Sequence, residues 1–115
     1  NSREFFEAVK DNEVLTVLRM VKNNRFLVED VDEERKTALH WSCKMVKYNL
    51  VMIMVDFGAN LYAVDDFLKK PYDEMLANAG SHKGERDVAD IEEIYKKDSE
   101  LYDWWMRIDR KHNQR

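Results

Sequence analysis

Apolar residues recur at helical spacing along almost the whole chain, in short runs separated by polar breaks. Phe5, Ala8 and Val9, then Val14, Val17, Met20 and Val21, mark one face of two short segments. Asp11 and Asn12 between them suit a turn, because their side chains satisfy local backbone groups and Asn tolerates left-handed geometry. The spacing predicts an antiparallel helix pair. The segments Ala38 to Met45 and Asn49 to Phe57 repeat this arrangement, with Gly58 placed to end the second helix. Pro71 opens a third such segment, at a position where a missing amide hydrogen does no harm, and it runs through Met75 and Leu76 to about Ala79. After an irregular stretch at 80–86, Val88, Ile91, Ile94 and Tyr95 show the i, i+3, i+6, i+7 spacing of Tyr48, Val51, Met54 and Val55. Asp98 or Ser99 is then expected to cap a final helix with Leu101, Trp104, Trp105 and Ile108 at i, i+3, i+4 and i+7. The expected class is all-α.

These segments fall into a repeat. A step of 33 residues from Thr37-Ala38-Leu39-His40 lands on Lys70-Pro71-Tyr72-Asp73, and Asp65 lies 33 after Asp32. Stepping back 34 from Leu39, Ser42 and Val51 reaches Phe5, Ala8 and Val17. The predicted units are 3–36, 37–69 and 70–97, the last with an insertion at 80–86, followed by a C-terminal helix and basic tail at 98–115. Thr37-Ala38-Leu39-His40-Trp41-Ser42-Cys43 resembles the opening of an ankyrin repeat, and Gly58-Ala59-Asn60 resembles its Gly-Ala-Asp turn. That resemblance implies a solenoid of about three helix-turn-helix units with projecting loops, whose concave face binds another protein and which has no catalytic activity. It also implies that His40 ties down its turn through Thr37, and that the small Cys43 lets two helices approach closely.

Carried over position by position, the resemblance gives a candidate binding surface. One loop tip holds Asp32, Glu33, Glu34 and Arg35, and the next holds Asp65, Asp66, Phe67 and Leu68. Outward positions on the first helices are Glu7, Lys10 and Asp11, then Trp41, Lys44 and Met45, then Glu74 and Asn78. Trp41 is the first candidate anchor, since tryptophan buries a large area at interfaces, with partial packing against neighbouring loops as its alternative. Phe67 and Leu68 follow, because apolar residues at a loop tip gain little unless something covers them. Their alternative is to fold back on the third unit. Stacked repeats leave a raw apolar face at each end, so the last helix is expected mainly as a cap, with docking on a partner as the other reading. Trp104 and Trp105 point about 100 degrees apart, so one can seal the stack while the other faces outward. Arg107, Arg110, Lys111 and Arg115 complement the negative end of that helix.

Composition narrows the function classes. The 115 residues are 44% hydrophobic and 37% charged, which favours one folded, soluble domain over disorder or a membrane span. A net charge of −4 offers no general attraction for nucleic acid or an anionic membrane. The lone cysteine, Cys43, excludes an intrachain disulfide and fits a reducing, cytoplasmic setting, and no signal-peptide pattern follows Asn1. His40 and Cys43 stand at i, i+3, a spacing that suits two metal ligands or a thiol and its base, but nothing nearby completes either site. His82 and His112 lie in polar surroundings, and Gly58, Gly80 and Gly84 form no phosphate-binding loop. No metal, cofactor or enzymatic activity is expected. The expected function is a non-catalytic protein-protein interaction module, monomeric or within a hetero-assembly, with a structural subunit of a larger assembly as the alternative.

Overall fold

The computed structural model describes residues 1–82 and 85–113, with side chains up to Lys111. Six α-helices carry the described residues: α1 (Ser2–Lys10), α2 (Val14–Asn23), α3 (Ala38–Lys44), α4 (Tyr48–Asp56), α5 (Pro71–Asn78) and α6 (Arg86–Asn113). Short 3-10 turns cover Arg25–Glu29 and Ala79–His82. No strand occurs among the described residues, only an isolated antiparallel bridge between Val31 and Thr37. The chain is therefore all-α.

The helix starts and stops have local causes. The Asn1 side chain accepts from the Glu4 amide at 3.0 Å, satisfying one of the free donors that open α1. At α3 the caps are reciprocal: Thr37 Oγ1 accepts from the His40 amide, and His40 Nδ1 accepts from the Thr37 amide at 3.0 Å. Helices α1, α3 and α4 all end on the same wrap of the chain. The Glu13 amide donates to the Ala8 carbonyl, Lys47 to Ser42 and Ala59 to Met54, with Asn12, Val46 and Gly58 in the left-handed region at φ 55°, 54° and 86°. Val46 is the costly member, because a β-branched side chain crowds this conformation. Its side chain is buried, and that packing offsets the strain.

Helix α3 lies centrally, packed against α1, α4 and α5, while α6 lies on α4. Phe5, Val17, Leu39, Leu50, Met54, Met75 and Ile91 are fully buried in one continuous core. Cys43 is buried with them, the small residue where α3 meets its neighbours.

Helix α6 departs from the expected boundary at 97/98. It is one uninterrupted helix of 28 residues. No Gly or Pro stands between 86 and 113 to break it, so the cap-forming preference of Asp98 and Ser99 is overridden. Asp98 serves elsewhere, accepting from the Tyr62 hydroxyl at 2.6 Å. The first half of α6 packs on α4, with Ile91 and Tyr95 buried and Val88 and Ile94 half-buried. Its Asp87 carboxylate accepts from the Tyr48 amide at 3.1 Å, capping α4, which has no cap of its own. The second half does not fold back over the core as expected. Leu101, Tyr102, Trp104 and Trp105 remain 62%, 60%, 50% and 57% exposed, because the continuous helix carries them past the body. Gly84 of the insertion, Arg115 and the His112 side chain lie outside the described residues.

Candidate binding groove

Two loops of the same construction stand 33 residues apart. In the first, Asp32 Oδ1 accepts from the Glu34 and Lys36 amides, both at 2.9 Å. In the second, Asp65 Oδ1 accepts from Phe67 at 2.8 Å and Lys69 at 2.9 Å. Each aspartate amide also donates to the carbonyl four residues on, and the fourth residue, Arg35 or Leu68, is left-handed at φ 63° or 60°. An aspartate that organises its own turn explains why this residue recurs at the period. The loops are joined, since the Asp66 amide donates to the Glu34 carbonyl at 2.9 Å. His40 adds a second tie. With Nδ1 accepting from Thr37, its Nε2 carries the proton and donates to the Lys69 carbonyl at 2.9 Å.

Behind the loops the Lys36 ammonium sits between Asp65, which it contacts closely, and Glu74 at 3.0 Å, all three side chains buried. Burial by itself lowers the Lys36 pKa, but the hydrogen bonds to Asp65 and Glu74 outweigh it and raise the value. For Asp65, burial works upward, and the Lys36 ammonium with the Lys69 and Phe67 amides overcomes it, holding the carboxyl at about 2. Glu74 is thus not an outward binding residue. Its helix turns it toward Lys36, where the opposite charge stabilises a carboxylate that solvent does not reach. Asn78, on the same face, is half-buried, and its amide donates to the Glu74 carbonyl.

Trp41 does stand at a concavity. It forms one wall of an open groove of about 970 Å³ bounded by Phe6, Glu7 and Lys10 of α1 and by Val31 to Glu34 of the first loop. The indole Nε1 donates to Asp32 Oδ2 at 2.9 Å, so one aspartate both shapes the loop and orients the ring. Burial raises the Asp32 pKa, and the Lys36 amide, the indole, the Glu34 amide and the Lys10 charge overcome it to leave a lowered value. The Lys10 and Lys44 ammonium groups lie 4.3 and 4.9 Å from the ring centroid. The result is a partly buried aromatic ring held under two cations, with Glu7, Glu33 and Glu34 on the rim.

Of the other expected binding residues, Lys44 contributes through the Trp41 ring and Met45 is half-buried against the core. Arg35 lies away from this groove, with its guanidinium 4.0 Å from Asp66. Phe67 and Leu68 are 60% and 82% exposed at the second loop tip and do not fold back on the third helix pair. Trp104 and Trp105 belong to a separate surface on α6. Sequence reasoning missed Phe6 and Val31 as groove residues and Lys36 as the centre of a buried ion triad. The Lys36 position had a signal in the aspartate four residues before it and the second aspartate at the 33-residue step.

Among the described residues no three His, Cys, Asp or Glu side chains gather as metal ligands. The Cys43 thiol is pushed up to about 12, chiefly by burial, so it is not poised as a nucleophile. No described helix is long and apolar enough to cross a membrane.

No family model matches the chain. A segment of 53 residues, 46% of the chain, is 26% identical to the Acyl-CoA-binding domain-containing protein 6 homolog of Dictyostelium discoideum. The chain spans 18% of that protein's length. These findings overturn the ankyrin assignment: the motif residues fold as a capped helix start, but no family match stands behind them, and the relative found is named for a different domain. The internal 33-residue correspondence of the two loops remains a geometric property of this chain.

Proposed function

We propose that this chain is a non-catalytic, intracellular protein-binding module in which three helix pairs stack as a short solenoid and the groove at Trp41 receives a segment of another protein. The observation that carries this reading is the Trp41 ring itself. An indole fixed by a hydrogen bond, half-exposed in a groove and flanked by charged side chains, has the character of an interface anchor. The aspartate-built turns hold the groove's loop wall rigid, which lowers the ordering cost of binding.

The relative's name raises acyl-CoA as a ligand, but the groove sets Glu7, Asp32, Glu33 and Glu34 against Arg3 and Lys10, the wrong balance for a ligand bearing several phosphates. That reading is not extended to this chain. The alternative role as a subunit of an assembly draws on a different observation, the exposed apolar face of α6.

The test is selection of displayed random peptides on the immobilised chain, followed by affinity measurement against Trp41→Ala. Peptides seated in the groove lose about tenfold or more, equivalent to about 1.4 kcal/mol. Peptides that bind both proteins equally place the binding surface elsewhere and overturn the reading.

A further inference from the structure

The second half of α6 carries an apolar face that is largely exposed among the described residues. Leu101, Trp104, Trp105 and Ile108 share one side of the helix, Ile108 half-buried and the others at least half exposed. Residues 98–113 extend for about 24 Å at the helical rise. A helix face of this kind needs an occupant.

The charges beside the face indicate which. Glu100, Arg107 and Lys111 lie on the same flank of the stripe, the acid toward the helix start and the two bases toward its end. When two identical helices pair antiparallel about a twofold axis, the same flank of each copy meets, and residues equidistant from the centre come level. With the centre between Trp104 and Trp105, Leu101 of one copy lies opposite Ile108 of the other. Glu100 then comes near Arg107 and Lys111 of the second copy. Parallel pairing instead brings this flank against the opposite one, which leaves Glu100 without Arg107 and Lys111 as partners and sets the two folded bodies side by side at one end. The like-charge contact on the other flank, Asp98 with Glu93 in the parallel pair and Asp98 with Asp109 in the antiparallel one, is common to both. Flanking charges of this sort set orientation and partner choice in paired helices. In the antiparallel register the bodies stand at opposite ends of the paired helices.

We infer that the Leu101–Ile108 face of α6 is a self-association surface, on which a second copy of this chain docks antiparallel through its own α6. The paired stretch, residues 100–111, covers about three turns of helix, so the dimer is weak and reversible. It is independent of the Trp41 groove.

The experiment is sedimentation equilibrium of the full chain from about 10 to 500 µM, the range in which a small interface populates a dimer. Wild type and Trp41→Ala are expected to associate alike, whereas Trp104→Ala plus Trp105→Ala is expected to weaken association about tenfold or more with an unchanged melting temperature, since both rings are exposed. Glu100→Lys and Arg107→Glu plus Lys111→Glu are each expected to be monomeric alone and to form a one-to-one dimer when mixed. A wild type that stays monomeric at the highest concentration overturns the inference while leaving the groove reading intact. So does a dimer that survives either charge variant, or one that the double tryptophan variant leaves unweakened.

Discussion

The two aspartate loops have the same hydrogen bonds and the same left-handed fourth residue, yet their lysines live in opposite surroundings. Lys36 closes the first loop and is buried between Asp65 and Glu74, whereas Lys69 closes the second and is exposed. Asp65 is likewise buried and Asp32 only half so. The backbone pattern follows from each loop's own residues. The burial follows from what lies behind each loop: the first loop is backed by the second and by α5, while no further loop of this kind backs the second among the described residues. Two loops built alike therefore differ in energetic weight through what lies behind each of them.

The largest effect expected from this difference is in Lys36→Ala against Lys69→Ala. Removing Lys36 leaves two buried carboxylates facing each other without a cation, a loss of about 3–5 kcal/mol in urea unfolding, while Lys69→Ala stays within about 0.5 kcal/mol. Similar losses in the two variants would break the comparison. Next is Asp65→Asn against Asp32→Asn, where the amide oxygen can still organise either turn. Asp65→Asn also removes half of the Lys36 pairing and should cost about 2 kcal/mol, roughly double the cost of Asp32→Asn.

Acid titration sharpens the same point. The folded-state pKa of Asp65, about 2, lies below its unfolded value, so its contribution is full above the ordinary carboxylate range and is lost as pH falls toward 2. Stability should decline from about pH 4 to about pH 2, and the decline should be shallower in Asp65→Asn when followed by thermal unfolding at each pH. The smallest effect is at the loop tips. Leu68 is exposed and left-handed, so Leu68→Gly should raise stability by about 0.5–1 kcal/mol. Arg35→Gly should gain less, because Arg35 reaches Asp66 across the loops.

Helix pairing was legible in the sequence because it rests on local periodicity: Phe5, Val17, Leu39, Val51 and Ile91 all lie in the core as their spacing predicts. Pro71 and Thr37 mark helix starts for reasons contained within a single turn of chain. The groove was half legible. Trp41 and the loop carboxylates stand where expected, but the inward turn of Glu74 depends on Lys36, 38 residues earlier, and no periodicity reports such a pair. The unbroken α6 was hidden by Asp98 and Ser99, which read as a helix start when taken alone. Helix-forming neighbours on both sides and the Tyr62 hydroxyl make Asp98 a mid-helix residue instead. The outward-facing tryptophans follow from that continuity, since a break at 98 would have let the last segment turn back onto the core.

The single thiol of Cys43 makes the protein its own stopwatch. Buried where α3 meets its neighbours and kept protonated at neutral pH, it is silent toward an alkylating or disulfide reagent until the core opens. Its labelling rate in mild conditions therefore counts openings of the central helix directly, with no reporter to be introduced and no second thiol to blur the signal. Set beside the unfolding free energy of the same variants, that rate tells whether the helix pairs separate singly or only together.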